Sequence, residues 1–242
     1  MSTDNSAFFL LNKKIQEWIY KNEWEELRPA QVESIKEIRQ KSNNLIICSP
    51  TASGKTEAAM LPLISELLEK DIDKKSYIVY ISPLKALIND QLIRLESLCK
   101  DNDICVVPWH GDISSSIKKK IEKNNQAILL ITPESLEAML VNTPSKAKLI
   151  FKNTISIVID EFHSFLGNDR GDHLLSLLNR LEKFSKNKFR RIGLSATVGD
   201  KKFIAKALDS KNYSNTKIIS GSVSGSYKLK LSLKGYEYDS KL

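Results

Sequence analysis

The chain has 242 residues, of which 41% are hydrophobic, a length and composition that allow one large folded domain with a sizeable core. Its net charge of +8 suits a polyanionic partner. No stretch approaches the ~20 apolar residues of a membrane span, and the run Ala7–Leu11 is too short for a secretory signal. Cysteines Cys48, Cys99 and Cys105 lack metal-ligand spacing and indicate buried thiols in a reducing compartment. We therefore expect a soluble, cytoplasmic protein without a membrane partner.

Residues 1–43 contain two helical patterns and are interpreted as a helical cap. From residue 44 to residue 222, apolar strand-like runs alternate with helical patterns. Such alternation predicts an α/β domain with a mainly parallel sheet and helices on both faces. The predicted strands are Asn44–Cys48, Ser76–Ser82, Ile104–Trp109, Ala127–Ile131, Ile155–Asp160, Arg190–Ser195 and Lys217–Ser220.

The segment Ser49–Thr56 follows the first predicted strand and precedes a helical pattern. A strand, a tight loop and a helix can cradle a polyphosphate, because loop amides and the helix N-terminus face the anion. Lys55 is placed to reach the β- and γ-phosphates, and the Thr56 hydroxyl to bind a metal ion. The residues before Lys55 that we expect to face the phosphates are Thr51, Ala52, Ser53 and Gly54. The full pattern begins with glycine where this chain has Ser49, so a surface loop is the alternative.

Two carboxylates, Asp160 and Glu161, follow the apolar strand that begins at Ile155. In an open α/β sheet, ligands bind at the carboxyl ends of the strands. Asp160 is placed to hold Mg²⁺, and Glu161 to orient and deprotonate an attacking water. A solvated turn is the alternative. Together with the loop at Lys55, these residues predict a nucleoside triphosphate and Mg²⁺ as ligands, and the resemblance described below implies that the nucleotide is ATP.

Further motifs stand in order between Trp24 and Gly199. They are Leu27–Gln31, Ser82–Gln91, Trp109–Asp112, Thr132–Leu136 and Ser195–Thr197. With the two sites above, the chain resembles the first RecA-like domain of a superfamily 2 helicase of the DEAD/DEAH type. Within that group it most resembles the Lhr-type (large helicase-related) proteins.

The resemblance implies roles on the nucleotide side. Arg28 and Gln31 match the adenine-reading element, and the Gln31 amide can pair with N6 and N7 of adenine; an ordinary polar helix residue is the alternative. His163 matches the residue that links the ATP site to Ser195 and Thr197, which couple hydrolysis to movement.

The nucleic-acid side is predicted to consist of loops and helix starts. Thr132, Glu134 and Ser135 precede or open a predicted helix, Glu134–Leu140, whose free amides can face a backbone phosphate. Gly111 allows close approach of a sugar-phosphate chain. The other predicted contacts are Pro83, Lys85 and Arg170. Helix capping is the alternative for the loops, and a solvated loop before a helix Asp172–Phe184 is the alternative for Arg170.

Residues 223–242 are interpreted as an exit strand or linker, because apolar and polar residues alternate from Tyr227 to Leu233. The resemblance implies a second RecA-like domain, in cis or in trans, that supplies further arginines. We therefore expect a fragment or half-motor that hydrolyses ATP slowly by itself.

The sequence thus predicts the ATP-binding motor domain of a nucleic-acid-dependent ATPase or helicase. DNA is favoured over RNA by resemblance alone. The alternatives are a nucleic-acid-binding module without catalysis and a small-molecule phosphotransferase.

Overall fold

In a computed structural model, the protein is described over residues 6–50, 53–185, 188–197 and 199–221. The strands are β1 (Asn44–Cys48), β2 (Ser76–Ile81), β3 (Cys105–Trp109), β4 (Gln126–Ile131), β5 (Thr154–Ile159), β6 (Arg190–Ser195) and β7 (Thr216–Ser220). The helices are α1 (Lys13–Lys21), α2 (Pro29–Gln40), α3 (Lys55–Leu68), α4 (Lys85–Cys99), α5 (Ser115–Lys118), α6 (Lys120–Lys123), α7 (Pro133–Asn142), α8 (Pro144–Lys152), α9 (Asp169–Glu182) and α10 (Lys201–Leu208).

The seven strands of the described residues form one parallel sheet in the order β3-β4-β2-β5-β6-β1-β7. This arrangement confirms the predicted α/β fold. Every predicted strand is present, and its ends differ from the prediction by at most one residue. The agreement follows from burial on both faces, which requires continuous apolar runs that are easy to recognise in a sequence.

Two hydrophobic cores lie on the two faces of the sheet, because alternate strand residues point to opposite sides. Leu45 and Ile47 of β1 belong to one core, together with residues of α1 to α4. Ile46 and Cys48 belong to the other core, together with residues of α7, α8, α9 and α10. The sheet is therefore covered on both faces, and the site must lie at one of its ends.

The N-terminal residues form α1 and α2, which pack on the first core through Ile15, Ile19, Ile35 and Ile38. The indole rings of Trp18 and Trp24 meet edge to face with their centroids 5.5 Å apart. No helix in the described part of the chain is both long and apolar enough to cross a membrane.

Two predictions from the sequence need comment. The helix predicted to start at Asp172 starts at Asp169, because the Asn168 side chain accepts a hydrogen bond from the Gly171 amide and caps it. The predicted exit strand and linker at 223–242 lie outside the described residues.

Candidate functional site

The residues predicted to carry function meet at one edge of the sheet, because parallel strands place all their carboxyl ends together. The strand order divides this edge into two halves. The β1/β5/β6 half contains the ends of β1, β5 and β6, which precede Ser49, Asp160 and Ala196. The β2/β3/β4 half contains the ends of β2, β3 and β4, which precede Ser82, His110 and Thr132.

The loop before α3 is shaped by Gly54. Its φ of 81° is in the left-handed region, where glycine is favoured. A Cβ at Gly54 would also lie 2.6 Å from Nε2 of Gln31, so the Gln31 amide would have to move to admit a side chain there. The hydroxyl of Ser53 is buried and has no hydrogen-bond partner in the described ranges. Thr51 and Ala52 lie outside the described residues.

Lys55 is a buried cation that two carbonyl groups of the preceding loop hold. Its ammonium donates to the carbonyl oxygens of Ser49 at 2.7 Å and Pro50 at 2.9 Å, and the side chain forms no ion pair within the described residues. Burial lowers the pKa of Lys55, and the nearby Glu161 and Asp160 carboxylates offset part of that effect. A buried charge without a close counter-ion is poorly compensated, and an incoming anion would compensate it.

Asp160 lies across from Lys55 at the end of β5, and only 5% of its surface is exposed. Its Oδ1 accepts a hydrogen bond from the Glu161 amide at 2.9 Å. Burial raises the pKa of Asp160, and the neighbouring Tyr80 hydroxyl and Glu161 amide counteract only part of this rise. Glu161 has a φ of 46°, a left-handed conformation that strains a residue with a side chain. At this position the chain thus holds Asp160, whose negative charge is disfavoured by burial, and Glu161, whose backbone is strained.

Tyr80 is a residue of this half that the sequence analysis missed. It is fully buried on β2, and its hydroxyl faces Asp160 and Thr56. Tyr77 on the same strand is also a buried tyrosine, so the sequence alone gave no means of telling the two apart. In the described residues, no group of three or more His, Cys, Asp or Glu side chains could hold a metal ion.

A chain of contacts joins the Asp160–His163 segment to the loop before α3. The Ala196 amide donates to Nδ1 of His163 at 3.4 Å. The Ser195 hydroxyl donates to the Thr197 carbonyl at 2.8 Å, and the Ser195 carbonyl accepts from the Ser49 amide at 3.1 Å. The structure therefore brings His163, Ser195 and Thr197 together beside Ser49.

A cavity of about 370 Å³ opens next to Gly54. It is lined by Trp24, Glu26, Arg28, Gln31, Gly54, Glu57 and Arg94. The side-chain Oε1 of Gln31 accepts from the Arg28 backbone amide at 2.9 Å, and its Nε2 lies 3.5 Å from the Gly54 backbone carbonyl. Gln31 thus connects the cavity with the loop, and its amide group faces both.

The β2/β3/β4 half is more exposed. Thr132 caps α7, since its hydroxyl accepts from the Ser135 amide at 3.2 Å, so the capping alternative describes this loop in the free protein. The Lys85 ammonium, half exposed, pairs with Asp112 at 3.0 Å and lies 3.8 Å from the position of a Cβ on Gly111. Lys85, Gly111, Thr132 and Ser135 therefore border one surface.

Arg170 reaches this surface from the first turn of α9 rather than from a loop. Its Nε donates to the Glu134 carboxylate at 2.8 Å, and its Nη2 donates to the Pro83 carbonyl at 2.6 Å. The structure brings Pro83, Glu134 and Arg170 together by direct contact.

Comparison with known proteins shows which family the chain is similar to. Residues 28–204 match the family model described as DEAD/DEAH box helicase. Over 222 residues the chain is 36% identical to the ATP-dependent helicase Lhr-Core of Methanocaldococcus jannaschii, covering 85% of this chain and 26% of that protein. The Lhr helicase/uracil glycosylase of Escherichia coli is 33% identical over 66% of this chain and 12% of its own length. The chain spans about a quarter of the length of the Lhr-Core relatives it matches.

Solved structures give the same result. Mycobacterium smegmatis helicase Lhr, bound to single-stranded DNA and AMP-PNP, superposes with a TM-score of 0.74 at 28% identity, over 88% of this chain and 28% of that one. The DUF1998 helicase MrfA bound to DNA has a TM-score of 0.77 at 26% identity, over 87% and 30% of the two chains. The DEAD-box helicase Mss116, at 22% identity and a TM-score of 0.75, shares the fold.

Proposed function

The chain belongs to the DEAD/DEAH box helicase family and is similar to Lhr-type helicases, and we propose that it is the ATP-binding domain of a motor that moves along DNA. The preference for DNA over RNA is supported by the Lhr and MrfA structures, which are described as bound to single-stranded DNA and to DNA.

The β1/β5/β6 half fits a nucleoside triphosphate. Gly54 leaves room where a Cβ would collide, the Ser53 hydroxyl lacks a partner in the described ranges, and Lys55 is a buried cation in need of an anion. The adenine would occupy the cavity beside Gln31 and Arg28. We propose that Thr51 and Ala52 add their amides to this cradle.

Thr56 and Asp160 fit Mg²⁺, which prefers oxygen ligands and usually keeps few protein ligands beside phosphates and water. When bound, Mg²⁺ would neutralise charge on the phosphates. Asp160 is prepared for a cation because burial already disfavours its negative charge. Glu161 would accept the proton of the attacking water.

The β2/β3/β4 half fits a sugar-phosphate chain. The N-terminus of α7 at Thr132 and Ser135 offers amides and hydroxyls, and the Lys85 ammonium adds positive charge beside Gly111. Glu134 and Pro83 border the same surface. These contacts would position a strand without reading its sequence.

Movement requires the two halves to communicate. We propose that the contacts from His163 to Ala196 and from Ser195 to Ser49 transmit the state of the phosphates. A second RecA-like domain, in cis or in trans, would add arginines that complete catalysis. Such arginines contribute roughly 10³–10⁵ in rate, so we expect the 242-residue chain alone to hydrolyse ATP slowly or not at all.

The poorly compensated ammonium of Lys55 beside Asp160 and Glu161 is the observation on which this proposal depends. In the Lys55→Ala variant, Mg²⁺-dependent binding of a fluorescent ATP analogue should weaken by roughly a hundredfold, as when one partner of a buried charge pair is removed. Single-stranded DNA binding should persist. Lys85→Ala is the matched control, because it removes an exposed lysine from the other half.

Equal nucleotide binding by Lys55→Ala and the unaltered chain would contradict the proposal. Salt-dependent DNA binding without any nucleotide binding would favour a binding module without catalysis. Nucleotide binding without affinity for any nucleic acid would favour a small-molecule phosphotransferase.

A further inference from the structure

Arg170 connects the two halves of the functional edge, which is the edge of the sheet where the strands have their carboxyl ends. It follows the segment Asp160–His163 along the chain, yet its guanidinium lies in the β2/β3/β4 half. There it contacts two segments at once: the Pro83 carbonyl in the loop after β2, at 2.6 Å, and the Glu134 carboxylate in the first turn of α7, at 2.7 Å and 2.8 Å. Its guanidinium carbon also lies 5.4 Å from the centre of the Phe165 ring.

The start of α9 is fixed, so Arg170 has a rigid base. A Cβ on Gly171 would lie only 1.7 Å from the Phe165 carbonyl oxygen, which shows how closely the helix approaches the preceding turn. The Asn168 side chain caps the same turn through the Gly171 amide at 3.0 Å. A shift of the turn Phe162–Phe165 would therefore move Arg170 with it.

Glu134 explains why a cation is needed at this position. Its carboxylate stands in the first turn of α7, beside the amides that are offered to a phosphate. Without a counter-charge it would repel a nucleic-acid backbone. Burial by itself would raise the pKa of Glu134, but its own backbone amide and the Arg170 guanidinium outweigh that effect and lower it. The carboxylate is thus held ionised and paired.

We propose that Arg170 is a positioning residue, which holds the Pro83 loop and the start of α7 at a fixed separation and neutralises Glu134, so that both loops receive one nucleic-acid strand. It acts through these loops rather than by touching the strand. The inference rests on the proposed nucleic-acid function of this half. Arg170 would also connect the segment at Glu161 mechanically to the bound nucleic-acid strand.

The test compares affinities for a fluorescein-labelled oligothymidylate. Arg170→Gln should weaken binding by about tenfold. Glu134→Ala should also weaken binding, by about threefold, although it removes a negative charge, because the start of α7 loses its anchor. The double variant should bind no more weakly than Arg170→Gln, since the two residues act as one unit.

A direct phosphate contact by Arg170 predicts the opposite for two variants. Glu134→Ala would then strengthen binding, because the guanidinium is released toward the strand. Arg170→Lys would then keep most of the affinity. Under our proposal it binds as weakly as Arg170→Gln, because an ammonium lacks the planar, fixed set of donors with which the guanidinium spans Glu134 and the Pro83 carbonyl. The slope of log affinity against log salt should be unchanged in Arg170→Gln, and a slope reduced by about one would show a lost phosphate contact.

Arg180→Gln is the matched control. Arg180 also reaches from α9 to α7, where it pairs with Glu137 at 2.8 Å and 2.9 Å, but it does not contact Pro83 or Glu134. Its replacement should leave oligothymidylate binding unchanged. An equal loss in both variants would show that general support of α7, not the link at Arg170, sets the affinity, and would overturn the inference.

Amide hydrogen exchange provides a readout that does not need a bound strand. In Arg170→Gln, but not in Arg180→Gln, exchange should rise at the amides of Leu84 to Ala86 and of Ser135 to Leu136. If the unaltered chain bound no nucleic acid, the proposed function would fail, while exchange would still decide whether Arg170 fixes the two loops. Unchanged exchange in both variants would overturn the inference.

Discussion

Two buried aspartates at opposite ends of the sheet differ in how their charge is compensated. Asp160, at the carboxyl end of β5, has a pKa that burial raises. Asp209 is only 1% exposed and lies near the start of β1, where it accepts from the Asn44 side chain at 3.0 Å. Burial would raise its pKa too, but the Arg191 guanidinium and backbone amides outweigh burial and lower it. The charge of Asp209 supports the fold, whereas the charge of Asp160 is compensated only in part, and we propose that a bound cation completes its compensation.

Removal of the compensated aspartate should have the largest effect on stability. Asp209→Ala leaves Arg191 without part of its counter-charge and frees the Asn212 and Lys211 amides, so we expect the free energy of unfolding to fall by about 3 kcal/mol. Urea unfolding near neutral pH measures this loss. Asp200→Ala, which removes only a helix cap, should cost about 1 kcal/mol and gives the scale.

The pH dependence of that loss has a definite sign. Because the pKa of Asp209 is lowered in the folded state, its contribution to stability is present above the ordinary pKa of aspartate. The contribution disappears as the pH falls through the lowered value. The difference between the unaltered chain and Asp209→Ala should therefore shrink in acid, and a difference that stayed constant would contradict compensation by charge.

A smaller loss of stability is expected when the packing of Phe162 beside Gly193 is disturbed. A Cβ on Gly193 would lie 2.9 Å from the Phe162 ring, so Gly193→Ala must displace the residue between Glu161 and His163. We expect a loss of about 2 kcal/mol in unfolding free energy and weaker nucleotide binding. Gly199→Ala, whose Cβ would meet only Ile204 at 3.8 Å, is the control. Combination with Phe162→Leu should recover part of the loss, and strictly additive effects would exclude this clash.

Replacement of Asp160, whose charge is compensated only in part, should raise the free energy of unfolding rather than lower it. Asp160→Asn keeps an acceptor for the Glu161 amide and removes a charge that burial disfavours. We expect the variant to be slightly more stable than the unaltered chain near neutral pH. The gain should vanish below the ordinary pKa of aspartate, where both chains are neutral at this position. A less stable Asp160→Asn chain near neutral pH would contradict the comparison.

An exposed charge at the functional edge should affect stability least of all. Lys85 and Asp112 are 53% and 71% exposed, and an ion pair in solvent contributes little. Lys85→Ala should leave the urea midpoint unchanged, yet reduce the salt slope of DNA binding by about one. A clear loss of stability would show that the contribution of a charged residue to stability depends on its location at this edge of the sheet rather than on its burial.

The strands and the loop at Lys55 could be predicted because each is a local pattern. An apolar run such as Leu45–Cys48 is buried on both faces. Gly54 adopts the left-handed conformation that the loop requires, which is a local property of the chain. Tyr80 and Arg170 were harder to interpret, since their partners lie far away in sequence. Thr56 and Asp160 face Tyr80 across the sheet, and Pro83 is 87 residues from Arg170. Gly171 allows the start of α9 to approach the Phe165 carbonyl closely, and no local pattern in the sequence indicates this contact.

The sequence by itself determined which residues follow which strand, because strand formation and loop conformation depend on neighbours along the chain. It did not determine the order of the strands across the sheet. Only the tertiary structure placed β1, β5 and β6 side by side and directed the Arg170 side chain to the β2/β3/β4 half. It also compensated the charge of Asp209 more fully than the charge of Asp160. These features arise from contacts between distant segments, whose energies depend on burial and on charges that no local pattern specifies.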